Sequence, residues 1–323
     1  MSEEDAKKSI QQMMNKSVAW LLSQETKEGW EGDIRTTCYA IQALIASGFS
    51  PLENPVLFAC DFLCAKQDPH GGTWGQNDGD TAEVLRTLVI CGKSKQDKII
   101  SDGLKGLHSL KTSKKFIVRS DVGWVHPILV ARAFIALGED ATELLDAIAL
   151  FLTGDVGYDV KYTSRAVLAY KEAKREDNSL LKAEDFLKKS VNNVSSLSGE
   201  YIGYLLQALV SLGHTLETGT IKRILDYLEK IQKDNGSWED NIKATAQIII
   251  GLATLGLRYK KPSLLSMKNI TRILILATLV IVAIILALSN IQPFVTLIIN
   301  IVEIFVGLIV ILEWAFPKIR LRV

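Results

Sequence analysis

The segment DIRTTCYAIQALIASG at residues 33–48 decides the fold, because five further segments repeat its pattern. Each begins with a polar turn, often one with Gly and Trp or Tyr, and continues as an apolar helix that ends in small residues. The other five segments are NDGDTAEVLRTLVICG (77–92), GWVHPILVARAFIALG (123–138), DVKYTSRAVLAYKEAK (159–174), SGEYIGYLLQALVSLG (198–213) and NIKATAQIIIGLATLG (241–256). Internal repetition on this scale indicates a fold built from one repeated supersecondary unit.

A second, more amphipathic helix is predicted before each repeated segment. These partner helices are expected at residues 10–23, 54–66, 96–110, 141–152, 180–191 and 219–232. A helix that is apolar nearly all round must be buried, whereas one with a charged face borders water. The sequence therefore predicts an all-α domain of six helical hairpins at 1–258, with the repeated segments inside. Such hairpins close into an α6/α6 toroid or extend as an open solenoid, and the helical pattern alone does not choose between the two.

Glycine follows five of the six inner helices, and the fourth is followed by Lys174. The glycines are Gly48, Gly92, Gly138, Gly213 and Gly256. A glycine in this place adopts the left-handed backbone conformation that ends a helix. The same five positions therefore predict where the inner helices stop.

The turns before the inner helices carry Gly and Trp in a recurring arrangement, as in EGW (28–30), GGTWGQND (71–78) and DNGSWEDN (234–241). With the Asp and Thr residues that open the inner helices, they resemble the tryptophan-containing repeats of the terpenoid cyclase and protein prenyltransferase superfamily. The resemblance covers all six repeats. It implies that superfamily's α6/α6 toroid and, for its enzymes, chemistry on isoprenoid substrates.

Members of that superfamily that start cyclisation by protonation carry a D-x-D-D-T-A motif, in which the middle Asp is the acid. The matching stretch here is NDGDTA (77–82), which places Gly79 at the position of the acid. If the chain is an enzyme, Asp78 or Asp80 must be the acid, because burial in an apolar cavity raises the pKa of a carboxyl group. The alternative is structural, since Asp80 and Glu83 also match a helix-capping arrangement.

No metal or cofactor is predicted. The prenyltransferase members bind zinc through an Asp-x-Cys pair and a later His, and this sequence has no Asp-x-Cys; Asp33 and Cys38 are five residues apart. A D-D-x-x-D cluster for magnesium is missing as well. Cys60 and Cys64 share a helix face, but no paired His completes a zinc site. The cysteines are therefore interpreted as reduced thiols.

Charged residues of the inner helices are the candidate ligand-binding groups. If the ring closes, Arg35, Asp80 and His126 gather at one mouth, where helix N-termini favour an anion. Arg132 and Arg165 lie deeper in inner helices, and a buried Arg needs an anionic partner from protein or ligand. Since no interior carboxylate partner is evident in those helices, these two are the stronger candidates. The alternative is that the mouth residues are helix caps and solvated rim residues.

The balance of 37 basic against 36 acidic residues argues against a nucleic-acid-binding protein, which needs concentrated positive charge. The start of the chain is polar and lacks an apolar segment, so no secretory signal is predicted and the helical domain is expected in the cytoplasm. The charge is unevenly distributed. Beyond Asn269 the charged residues are Arg272, Glu303, Glu313, Lys318, Arg320 and Arg322.

Two apolar runs, at 273–288 and 294–316, predict a transmembrane hairpin at residues 270–316 that spans the lipid bilayer. A basic linker (259–269) precedes it and a basic tail (317–323) follows. The positive-inside rule then places both termini on the cytoplasmic side of the cell membrane. A re-entrant or interfacial hairpin is the alternative.

Asn300, Glu303 and Gly307 share one face of the second run. A carboxyl group at membrane depth normally faces protein or water, so this face predicts self-association of the hairpins or a pore. The alternative is a protonated Glu303 that is bonded within one hairpin.

Three functions follow from these features. The predicted one is a sensor or effector: a membrane-anchored cytoplasmic toroid binds an unknown ligand or partner. The toroid is coupled to a transmembrane hairpin that oligomerises and, if Glu303 faces a channel, forms a pore. The second is an isoprenoid- or lipid-handling enzyme with Asp78 or Asp80 as a non-standard acid. The third is a membrane-tethered scaffold for protein interactions.

Overall fold

The computed structural model describes residues 3–75, 77–113, 125–154 and 159–260. Over these residues the chain forms twelve α-helices and no β-strand, so the all-α prediction is confirmed. The outer helices are α1 (Glu3–Ser23), α3 (Asn54–Ala65), α5 (Lys98–Ser113), α7 (Thr142–Thr153), α9 (Ser179–Ser190) and α11 (Gly219–Ile231). The inner helices are α2 (Ile34–Ser47), α4 (Asp78–Ile90), α6 (Val125–Leu137), α8 (Val160–Glu172), α10 (Gly199–Ser211) and α12 (Ile242–Thr254). A short 3-10 helix, Val191–Ser196, follows α9.

Burial separates the two sets of helices as their sequence patterns predict. The inner helix α12 buries ten of its 13 residues, whereas its outer partner α11 buries four of 13. The four are Ile221, Ile224, Leu225 and Leu228, which lie on one helix face. The outer helices therefore present a single apolar stripe to the core and a polar face to water.

The inner helices form a closed cycle of contacts. Each contacts the next inner helix along the chain, and α12 contacts α2. Hydrogen bonds between neighbours join residues at similar distances from the helix starts, as Gln42 with Thr87 and Arg165 with Tyr204 do. The inner helices therefore run in the same direction, and their equivalent positions lie at similar depths.

Local signals determine where the inner helices begin and end. Five of them start at a polar side chain that accepts a hydrogen bond from the backbone N–H three residues on; these caps are Asp33, Asn77, Asp159, Ser198 and Asn241. The five predicted glycines all have positive φ, and so does Lys174 with φ 54°. The predicted helix ends are therefore confirmed.

Three of the turns share one hydrogen-bonding unit around a fully buried tryptophan. Each Trp backbone N–H donates to the hydroxyl of a Thr seven residues later, in the pairs Trp30–Thr37, Trp74–Thr81 and Trp238–Thr245 at 3.0, 3.0 and 3.1 Å. Each indole N–H donates to an outer-helix carbonyl, of Leu21, Leu63 and Leu228 respectively. Each unit thus ties a turn to both helices of its hairpin.

The prediction of a membrane-anchored sensor or effector is wrong, because no helix in the described ranges is long and apolar enough to cross a membrane. The apolar inner helices have 13 or 14 residues, about 20 Å at about 1.5 Å per residue, against a hydrocarbon layer of about 30 Å. The chain divides into two units, Met1–Tyr259 and Lys260–Val323. The predicted spans at 270–316, with Asn300, Glu303 and Gly307, lie outside the described residues. The membrane-tethered scaffold depends on the same spans and is withdrawn with them.

Candidate functional site

A cavity of about 230 Å³ lies between the inner helices. Its lining comes from α2, α4, α6, α10 and α12. The polar side chains are Gln42, Glu83, Arg86, Arg132, Tyr204, Gln207 and Gln247, and the apolar ones are Ile45, Ala46, Ile90 and Ile250. Five of the six inner helices therefore contribute to one site.

The polar lining residues form the floor of the cavity, and the apolar lining residues form its mouth. Ile45 and Ile250 each lie one helical turn beyond a glutamine of the floor, Gln42 and Gln247. Both isoleucines are half-buried, whereas both glutamines are buried. The cavity therefore opens toward the C-terminal ends of the inner helices. A cavity of about 150 Å³ holds benzene, so this one accommodates a single ring with one polar substituent.

Glu172, in the last turn of α8, bridges the two arginines of the cavity. It accepts hydrogen bonds from Arg132 Nε (2.9 Å) and from Arg86 Nη2 (3.1 Å). Burial acts to raise the pKa of this carboxyl group, but Arg132 and Arg86 outweigh that effect and lower the pKa to about 2. Glu172 is therefore ionised at neutral pH and compensates the charge of Arg132, which is 6% exposed.

Glu83 brings a second negative charge to the floor. It is 3% exposed, accepts a hydrogen bond from Gln42 Nε2 at 2.7 Å and lies 3.9 Å from Arg86 Nη1. With ionised carboxylates, the two acids balance Arg86 and Arg132. The polar floor is therefore charged in its parts but neutral as a whole.

Arg165 lies beside the floor and contacts one of its residues, Tyr204, without lining the cavity. Its Nη2 donates to the hydroxyls of Tyr39 (2.9 Å) and Tyr204 (2.6 Å), and its guanidinium stacks on the Tyr204 ring, 4.3 Å from the centroid. Glu200 Oε1 is 3.6 Å from the same nitrogen. Arg165 thus positions Tyr204, which lines the cavity, without lining it itself.

Three further predicted site residues, Arg35, Asp78 and Asp80, do not line this cavity. Arg35 and Asp80 form an ion pair with each other near the helix starts. Asp78 begins α4, half-buried, and does not line the cavity. His126 lies in α6, and its side chain is outside the part that the structure describes. Of the four predicted ligand-binding residues whose side chains the structure describes, Arg132 alone lies in the lining.

Two expectations are corrected by these contacts. Arg132 does have an interior carboxylate partner, Glu172, which the next inner helix supplies. The cap of α4 is Asn77, whose side chain accepts from the Asp80 backbone N–H, so Asp80 is not the cap. Instead Asp80 accepts a hydrogen bond from Asn77 Nδ2 at 2.7 Å.

The structure does not place the predicted acids of an isoprenoid- or lipid-handling enzyme at this cavity. Neither Asp78 nor Asp80 lines the cavity, so neither carboxyl group can protonate a substrate bound there. Three charged residues, Glu83, Arg86 and Arg132, line the cavity, whereas an isoprenoid substrate requires an apolar surface. The described residues contain no group of three or more His, Cys, Asp or Glu that could hold a metal ion.

The sequence analysis did not identify the six polar lining residues other than Arg132, although the repeats contain a signal for them. When the six repeated segments are aligned at their first residues (33, 77, 123, 159, 198 and 241), the polar lining residues recur at the sixth and ninth positions after that residue. The sixth positions include Glu83, Tyr204 and Gln247, and the ninth include Gln42, Arg86, Arg132 and Gln207. Reading these two columns across the repeats would have found the floor of the cavity.

No protein-family model and no curated protein matches this sequence. Among solved structures, the chain is similar to one titled as the crystal structure of a protein from Actinoplanes, with a TM-score of 0.58 and 13% sequence identity. The match covers 76% of this chain and 99% of that chain. At this identity the likeness shows a shared fold and carries no information about activity.

Proposed function

We propose that residues 1–259 form an α6/α6 toroid of the terpenoid cyclase and prenyltransferase type, and that this toroid binds a small polar molecule in its central cavity. The closed cycle of inner-helix contacts supports the toroid. The three identical Trp and Thr turns support a common origin of the repeats with that superfamily. A shared fold does not imply a shared reaction, and the residues that the superfamily's enzymes use are missing here.

The observation that carries the binding proposal is the charged yet neutral floor of a cavity with an apolar mouth. Buried ion pairs contribute little net stability, because desolvation of both charges offsets their attraction. An apolar core of the same shape would serve the fold at least as well. Arg86, Arg132, Glu83 and Glu172 are therefore best explained by a polar ligand that they orient and recognise.

The test is a screen of single-ring compounds by ligand-observed NMR against the full-length protein. Ala46 lies at the cavity mouth, so Ala46→Phe places a ring in the space that a ligand would fill. We expect compounds that bind the wild type to lose binding to this variant by at least about tenfold.

The matched control is Ala65→Phe, the same substitution at an exposed position at the end of α3. We expect it to leave binding unchanged. Compounds that bind Ala46→Phe as tightly as the wild type would show that the cavity is not the binding site, and a screen without any binder would refute the proposal.

A further inference from the structure

The amide groups of Gln207 and Gln247 lie side by side against the cavity. Gln207, on α10, donates from Nε2 to Oε1 of Gln247, on α12, at 3.0 Å. The two residues are 5% and 2% exposed, and both line the cavity. They are brought together by the close approach of the two helices at Gly203, where an added Cβ would lie 2.5 Å from the Gln247 carbonyl carbon.

The orientation of both amides is determined by the backbone. Gln207 Nε2 also donates to the carbonyl oxygens of Gly203 and Gln247, each at 3.2 Å. Carbonyl oxygens only accept, so the NH₂ group of Gln207 must point at them. Gln247 must then offer its oxygen to Gln207, and its own NH₂ group points elsewhere.

One acceptor and one donor of this pair remain unused. Within the described part of the chain, Gln207 Oε1 accepts no hydrogen bond and Gln247 Nε2 donates none. Gln42, a third glutamine of the floor, is different: it donates to Glu83 and Thr87 and accepts from Arg86. Both residues line the cavity, so the open ends of the Gln207–Gln247 pair offer a ligand there one acceptor and one donor.

Charge restricts the chemistry of that ligand. The floor is neutral, with Arg86 and Arg132 balanced by Glu83 and Glu172. A carboxylate would supply acceptors alone and leave Gln207 Oε1 unpaired. A cation such as an amidinium would supply donors alone and leave Gln247 Nε2 unpaired. An uncharged carboxamide supplies both one acceptor and one donor.

We propose that the Gln207–Gln247 pair recognises an uncharged carboxamide or lactam group carried on a small ring, with the ring against the isoleucines of the mouth. This inference rests on the proposed function and names its ligand class. Ile45, Ile90 and Ile250 supply the apolar contacts, and the volume of about 230 Å³ suits one ring with an amide substituent.

The test compares benzamide, benzoate and benzamidine, which share a ring and differ in charge and hydrogen-bonding pattern, by calorimetric titration of the full-length protein. We expect the wild type to bind benzamide at least about tenfold more tightly than the other two, because benzamide alone offers a partner to both free ends of the Gln207–Gln247 pair. Tighter binding of benzoate or benzamidine than of benzamide, or no binding of any of the three, overturns the carboxamide inference.

Gln247→Glu sharpens the test, because it replaces the free donor with an acceptor and adds one negative charge at nearly constant shape. We expect this variant to prefer benzamidine over benzamide, a reversal of the wild-type order. Gln24→Glu, the same change outside the cavity, should leave the order unchanged. An unchanged order in Gln247→Glu overturns the inference.

Gln247→Met serves as the second variant if Gln247→Glu fails to fold, since it removes the free donor without adding charge. It should lose benzamide affinity by about tenfold. If the screen yields ligands that Ala46→Phe excludes but benzamide is not preferred, the cavity binds another class of compound and only the carboxamide assignment fails. If Ala46→Phe excludes nothing, the proposed function itself fails.

Discussion

Glu172 is the residue on which the charge balance of the cavity depends most directly. It is the carboxylate that compensates Arg132, whose side chain is buried. We expect Glu172→Gln to lower the free energy of unfolding by about 2 kcal/mol, because it leaves a buried guanidinium without a counter-charge; partial exposure of Glu172 keeps the loss below that of a fully buried pair. Urea denaturation at pH 7 measures the change.

The control for this prediction is Glu176→Gln. Glu176 pairs with Lys171, and its side chain is 67% exposed, so its loss should change the free energy of unfolding by less than about 0.5 kcal/mol. Equal effects of the two substitutions would show that the Arg86–Glu172–Arg132 bridge does not carry the charge balance.

The ionised carboxyl group of Glu172 should make the free energy of unfolding depend on pH. Its pKa is lowered from an ordinary value of 4.5 to about 2 in the folded chain, with Arg132 and Arg86 outweighing burial. A carboxyl group whose pKa is lowered on folding contributes stability above its unfolded pKa and loses it as the pH falls toward its folded pKa. The gap in urea midpoint between wild type and Glu172→Gln should therefore be widest above pH 4.5 and narrow toward pH 2. Parallel pH profiles would contradict this assignment.

At the scale of the element, the Trp and Thr turns are the parts that join each hairpin. In Thr81→Val the Trp74 backbone N–H loses its acceptor at a fully buried position. An unpaired buried donor costs about 1–3 kcal/mol, and we expect that loss in thermal or urea unfolding. The equivalent substitutions Thr37→Val and Thr245→Val should cost similar amounts, since their turns have the same geometry.

The matched control is Thr218→Val, which removes an exposed hydroxyl that donates to the Thr215 carbonyl. It should change the free energy of unfolding by less than about 0.5 kcal/mol. A similar effect at Thr218 and Thr81 would show that the shared turn geometry does not stabilise the hairpins.

At the scale of the whole helical domain, the first helix meets the last repeat. Gln232, just after α11, donates to the Met13 carbonyl and the Ser17 hydroxyl of α1. Gly236, in the following turn, has φ +94°, and an added Cβ would lie 2.4 Å from the Lys16 carbonyl oxygen. We expect Gly236→Ala to lower the free energy of unfolding by at least about 2 kcal/mol, because it strains the turn and pushes α1 away from the last repeat.

Gly219→Ala is the control for the contact between α1 and the last repeat. Gly219 is the first residue of α11, and an added Cβ there would meet nothing within 4 Å. Alanine favours a helix more than glycine does, so the substitution should be neutral or slightly stabilising. A neutral Gly236→Ala would indicate that the contact between α1 and the last repeat contributes nothing to stability.

The helices could be predicted from the sequence because their signals are local. The cap Asp33, the left-handed Gly48 and the apolar period between them act within a few residues of the backbone that they shape. The candidate site could be predicted only in part. Arg132 was recognised as a buried cation, but Glu172 lies 40 residues farther along the chain, and no local pattern links the two.

By itself the sequence determined the number of described helices, their ends and the division into inner and outer sets, since periodicity and capping are properties of a single segment. Only the tertiary structure decided which inward-facing side chains meet. Gln207 and Gln247, on neighbouring inner helices, are brought together by the absence of a side chain at Gly203. Glu172, at the end of α8, reaches Arg132 in the middle of α6. Such contacts depend on the separation and crossing of helices, and these distances are set by packing between repeats rather than within them.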